Sequence, residues 1–125
     1  MSDSMTTVRL TVAADPHLAR LVRMTAANVA MLSSMSVERV EDMRMAAEEA
    51  FVFSCGLCPG AEMAIRFDVD ATCVGMVFEL GDASFEDAAG SESAVYADLI
   101  LGAVCDEYEK RTAPTALVMT LKADV

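Results

Sequence analysis

Hydrophobic and polar positions first alternate near the start of the chain. Val8, Leu10 and Val12 fall between Thr7, Arg9 and Thr11, the period of a strand with one buried face. Asp15-Pro16 then sets a capping carboxylate before a proline at the first helical position. Leu18, Leu21, Val22, Val29 and Leu32 recur at helical spacing and predict a helix to about Ser33. Ser36 reads as a second N-cap, with Glu38 in the first turn favoured by the helix dipole. Val37, Val40, Met43, Ala47, Ala50 and Phe51 continue a second helix that Gly56 and Pro59 stop.

A hairpin follows. Met63, Ile65, Phe67 and Val69 alternate with Glu62, Ala64, Arg66 and Asp68, a turn lies near Asp70-Ala71-Thr72, and a second strand covers about Cys73 to Leu80. Gly81 to Ser93 has loop composition. Tyr96, Leu99, Ile100 and Val104 predict a third helix to about Lys110, and Leu117, Met119 and Leu121 mark a last strand. The predicted order is β-α-α-β-β-α-β. It implies an α/β two-layer sandwich of the α+β type, with a mostly antiparallel mixed sheet and its helices on one face. No repeat or linker divides residues 1–125, which read as a single domain.

Composition narrows the function classes. Hydrophobic residues make up 54% of the chain, enough for a packed core, and the 10 methionines suit an adaptable one. No apolar run has bilayer-spanning length, and Met1-Ser2-Asp3-Ser4 lacks the basic start of a signal peptide. The expectation is a cytoplasmic protein that does not enter a membrane. The net charge of −11 is uneven: Phe67 to Glu109 holds 11 acidic residues and no Lys or Arg. That field repels DNA and RNA, so a nucleic-acid partner is not expected.

The second helix carries a sharper signal. Glu41-Asp42-Met43-Arg44-Met45-Ala46-Ala47-Glu48-Glu49-Ala50 resembles the helix bearing the first nucleotide motif of bacterial anti-sigma-factor serine kinases. Those kinases belong to the histidine-kinase-like ATPase superfamily. The resemblance extends to the strand order and to Leu99–Glu107, which is similar to the family's final helix, and so covers nearly the whole chain. It implies the histidine-kinase-like ATPase fold. It also implies that Glu49 stands at the position of the catalytic, activating carboxylate. Phe53 stands where the family places its Mg²⁺-binding Asn, and Glu79-Leu80-Gly81 where it places the Asp-x-Gly of the adenine pocket.

At these cofactor-binding positions the chain departs from the family. A phenyl ring at Phe53 cannot coordinate a hard cation as an amide oxygen does, so Phe53→Asn would restore the ligand type. Glu79 keeps an acceptor for the adenine amino group but is one methylene longer than Asp. The family's later Gly-x-Gly falls near Val95 and Ala97, without its glycines. The loop expected over the phosphates carries Asp82, Glu86, Asp87 and Glu92 and no base, although phosphates are normally held by Lys, Arg, a metal or a helix N-terminus.

Other candidates are weaker. Cys55-Gly-Leu-Cys58 falls at the end of a helix, where the dipole does not activate a thiol. Zinc would need further ligands, and only the isolated Cys73, Cys105 and His17 remain, so no metal site is expected. His17 reads as a solvated surface residue. Glu48 and Glu49 are adjacent and diverge by about 100° on a helix, so one of the pair is expected to be simply solvated.

Taken with the resemblance, the chain reads as a non-catalytic or weakly nucleotide-binding regulatory protein without a cofactor, ATP with Mg²⁺ being disfavoured. The implied partners are a sigma factor or the antagonist protein that such kinases phosphorylate, and the family implies a homodimer. The alternatives are an active ATP-dependent serine kinase and an unrelated binding scaffold on the same fold.

Overall fold

The alternation at the chain start becomes pairing in the computed structural model, which describes residues 5–125. The start read as lacking a signal peptide, Met1–Ser4, lies outside the described residues. Strand β1 (Thr6–Ala13) runs antiparallel to β2 (Glu62–Val69), with Val8 opposite Phe67, Leu10 opposite Ile65 and Val12 opposite Met63. Between them the chain forms two helices. Asp15 accepts from the His17 backbone N–H at 2.9 Å and caps a short 3₁₀ turn, Pro16–Leu18, that leads into α1 (Ala19–Ala30). Ser36 accepts from the Arg39 backbone N–H at 3.1 Å and caps α2 (Val37–Leu57).

Asp70 organises the next turn. Its carboxylate accepts from the backbone N–H groups of Thr72 at 2.8 Å and Cys73 at 3.0 Å, and β3 (Cys73–Gly81) returns beside β2. A 3₁₀ turn, Phe85–Ala88, interrupts the loop that follows, and Ser91 caps α3 (Glu92–Val104) through the Ala94 N–H at 3.1 Å.

The chain closes with β4 (Glu107–Arg111) and β5 (Thr115–Lys122). The sheet order is β1-β2-β3-β5-β4, and every neighbouring pair is antiparallel, so the sheet has no mixed part.

The third helix is shorter than its sequence suggests. It ends at Val104, and the residues read as its last turn form β4, a fifth strand at the sheet edge. Four of the five β4 residues, Glu107, Glu109, Lys110 and Arg111, are exposed and charged; Tyr108 alone is half-buried. A charged edge strand hides the alternation by which strands are usually recognised, while protecting the edge from pairing with other chains.

One face of the sheet is buried. Met63, Ile65, Phe67 and Val69 of β2, Val74, Met76, Phe78 and Leu80 of β3, and Leu117, Met119 and Leu121 of β5 pack beneath the helices. The helices meet them with Val22, Ala26 and Val29, with Met43, Ala47, Ala50 and Phe51, and with Ala94, Ala97 and Leu101. Alanines at these positions let the helices approach each other closely, while unbranched methionines fill the irregular gaps left against the sheet. The opposite face, with Arg66, Gly75, Val77, Val118 and Thr120, is only half-buried and has no helix over it. Among the described residues, no helix is long and apolar enough to cross a membrane.

Candidate functional site

The four residues marked by sequence fall into three separate hollows. Glu49 lies in a groove of about 360 Å³ between α1 and α2, with Arg23, Arg44, Met45, Glu48 and Val52. Both arginines there are already engaged: Arg23 Nη1 donates to Glu48 at 2.9 Å, and Arg44 Nη1 donates to Glu41 at 2.7 Å. Glu49 makes no ion pair among the described residues; partial burial, then the neighbouring Glu48 charge, raise its pKa above the ordinary carboxylate value. The pair Glu48-Glu49 thus lines one groove despite diverging around the helix.

Phe53, one turn further along α2, is 5% exposed and belongs to the core. Its ring forms the floor of a hollow of about 270 Å³ closed by Phe85, Ala94, Asp98 and Lys110. Sequence reasoning missed Lys110. Its ammonium lies 5.9 Å from the Phe53 ring centroid and 5.6 Å from that of Phe85, and 2.9 Å from an Asp98 carboxylate oxygen. Tyr108 Oη donates to the same carboxylate at 2.7 Å, so β4 is pinned to α3 by two side chains from its core-facing side.

Glu79 and Gly81 lie together in a third hollow, of about 640 Å³, at the end of the sheet beside Leu57, Cys58, Glu62 and Pro114. Glu79 is exposed and points away from the helices, since Phe78 and Leu80 on either side of it point toward them. Gly81 has a local reason to be glycine: its φ is +59°, and the register of β3 against β5 slips between Glu79 and Gly81. Thr115 Oγ1 donates to the Ala83 carbonyl just beyond it and ties the acidic loop to β5. The lining of this hollow includes Glu62, Glu79 and Asp82 and no Lys or Arg, so it disfavours an anion such as a phosphate.

The thiols sit where their surroundings quiet them. Cys55 and Cys58 are at the C-terminal end of α2, and Cys58 Sγ donates to the Ser54 carbonyl at 3.3 Å. Burial pushes Cys55 up to about 11 and Cys105 up to about 12. All four cysteines are free, and among the described residues no group of three His, Cys, Asp or Glu could hold a metal ion. His17 is fully solvated on its turn, with Nδ1 3.0 Å from Asp15.

A prediction follows from the suppressed thiolate fractions of Cys55 and Cys105. At pH 8 these two should alkylate at least about tenfold more slowly than an exposed cysteine. Time-resolved mass spectrometry with iodoacetamide measures this, and labelling of Cys55 at the rate of a free thiol would contradict it. Elemental analysis of the same sample should find no stoichiometric zinc.

Comparison with known proteins adds no assignment, since no family model matches the sequence and no curated protein matches it.

Proposed function

We propose that this domain is a non-catalytic regulatory protein that acts by binding another protein, related in design to the anti-sigma-factor serine kinases. A sigma factor or an antagonist protein is the partner this reading implies. The observation that carries it is the outer surface of the helical layer. Leu21 and Met24 on α1, Met45 and Val52 on α2, and Val95, Tyr96 and Leu99 on α3 are all exposed. Single exposed apolar residues are ordinary, but a series on successive helices is the usual mark of a surface that another protein covers. The dispersal of Glu49, Phe53 and Glu79 among three hollows supports the non-catalytic half of the reading.

A second reading, an active ATP-dependent serine kinase, is favoured by one feature. The raised pKa of Glu49 in its groove is the kind of tuning a general base needs. One titration separates the two. Calorimetry with ATP and Mg²⁺ is expected to show no binding tighter than about 1 mM, or roughly −4 kcal/mol. A micromolar dissociation constant together with measurable turnover of ATP would select the kinase.

A further inference from the structure

We infer that the outward face of α3 is a docking site for a basic, amphipathic segment of a partner protein. This names the surface and the partner chemistry of the protein-binding reading and rests on it. A surface helix normally shows one apolar stripe and one polar face. In α3 both sides are apolar. Ala94, Ala97 and Leu101 pack inward, while Val95, Tyr96 and Leu99 stand outward at 52%, 56% and 66% exposure. Leu99 follows Val95 by four residues and Tyr96 by three, so it sits beside both on the helix surface, and with Gly90, Glu92 and Ser93 the three bound a shallow hollow of about 570 Å³.

Charge selects the occupant. α3 carries only Glu92 and Asp98 as charged residues, and the preceding turn adds Glu86 and Asp87. Asp98 is neutralised by Lys110. Glu92 borders this hollow and Glu86 lines the adjoining one beside Val95 and Gly90; neither, nor Asp87 next to Glu86 in the chain, makes an ion pair among the described residues, so the negative charge near the apolar stripe is uncompensated. A second copy of this chain would bring the same acids against themselves, and a nucleic acid or an anionic lipid surface would be repelled as well. A segment with leucine-like residues on one side and Lys or Arg on the other matches both stripe and rim. This is the helix-on-apolar-groove mode of recognition with a charged collar.

The test uses a fluorescently labelled peptide of leucine and lysine patterned at helical spacing, and its counterpart with glutamate in place of lysine. Anisotropy should show that the lysine peptide binds and the glutamate peptide does not. Association should slow as salt rises, because the Debye length is about 8 Å near 0.15 M. The double variant Tyr96→Ser, Leu99→Ser should weaken binding at least about tenfold while its thermal melt stays close to that of the parent, since both side chains are exposed. Glu86→Lys with Asp87→Lys should slow association and flatten its salt dependence.

Equal binding by the parent and the Tyr96, Leu99 variant would overturn the assignment, as would binding of both peptides alike. A parent dimer that becomes monomeric in the Leu99 variant would also overturn it, because a second copy would then be the occupant. Tight ATP binding with turnover would remove the non-catalytic reading and leave these peptide results standing. A failure of the peptide arms alone would leave the calorimetry standing.

Discussion

Phe53→Asn is expected to lower the free energy of unfolding by about 3–5 kcal/mol and to leave ATP affinity unimproved. Judged by the resemblance of the second helix to the anti-sigma-factor kinases alone, this substitution would put a metal-ligand type at that position. Judged by the fold, it removes a ring that is 5% exposed, contributes to the core, and lies beneath Lys110 at 5.9 Å. An amide in its place leaves a cavity and buries polar atoms without partners, and the lysine loses one of its two aromatic neighbours. Small domains are stable by only about 5–15 kcal/mol, so the loss is a large share of the total. The melting temperature should fall by about 10–20 °C. Urea denaturation with parallel calorimetry measures both effects. A variant that keeps its stability and gains Mg²⁺-dependent ATP binding would show that the ring was occupying a nucleotide site.

Arg39→Met is expected to cost about 2–3 kcal/mol, far more than an ordinary surface substitution. Arg39 sits in the first turn of α2 with only 14% of its side chain exposed. Its guanidinium donates to the Lys122 carbonyl at 2.8 Å, to the Val104 carbonyl at 3.1 Å, to Asp42 at 3.0 Å and to Asp106 at 2.6 Å. Asp106 in turn accepts from the Lys122 backbone N–H at 2.6 Å. One side chain therefore joins the start of α2, the end of α3 and the end of β5. Removing it leaves two carbonyls and two carboxylates without that donor. Arg39→Lys should recover only part of the loss, because an ammonium cannot reproduce the planar fork of donors. Arg44→Met is the control: its exposed pair with Glu41 should contribute less than about 0.5 kcal/mol. Denaturant midpoints for the three variants decide the matter, and equal effects for Arg39 and Arg44 would contradict it.

Most of the fold was legible because its signals are local. Asp15 before Pro16, Ser36 before α2 and the Asp70 turn each state their geometry in a few residues, and the helix starts and hairpin follow them closely. The alternation in β1 and β2 names their buried faces correctly. What escaped was decided by tertiary structure. β4 is charged on nearly every residue, so its strand character comes from the ladder it forms with β5, with Tyr108 opposite Met119 and Lys110 opposite Leu117. Pro114, between two short runs, was the local hint of that hairpin.

The candidate site was legible only as a set of positions. Glu49 and Phe53 are one helical turn apart, yet one lies in a surface groove and the other in the core, and Glu79 is on the far side of the sheet. Residue spacing cannot give these separations, because they depend on which way each element is packed. The Lys110–Asp98 pair was equally hidden, since it joins an edge strand not foreseen to a helix that ends earlier than its composition suggests.

The measurement closest to the central claim is site-specific photo-crosslinking in cells that make the chain at its natural level. A photoreactive residue would be placed in turn at Met24, Met45 and Leu99 on the helical layer, and at Arg9 and Glu109 on β1 and β4 of the sheet. All five positions are exposed. The account predicts one defined protein adduct from the helical layer, strongest at Leu99, and none from the sheet positions. Adducts from the sheet positions alone, or none from any position, would contradict it.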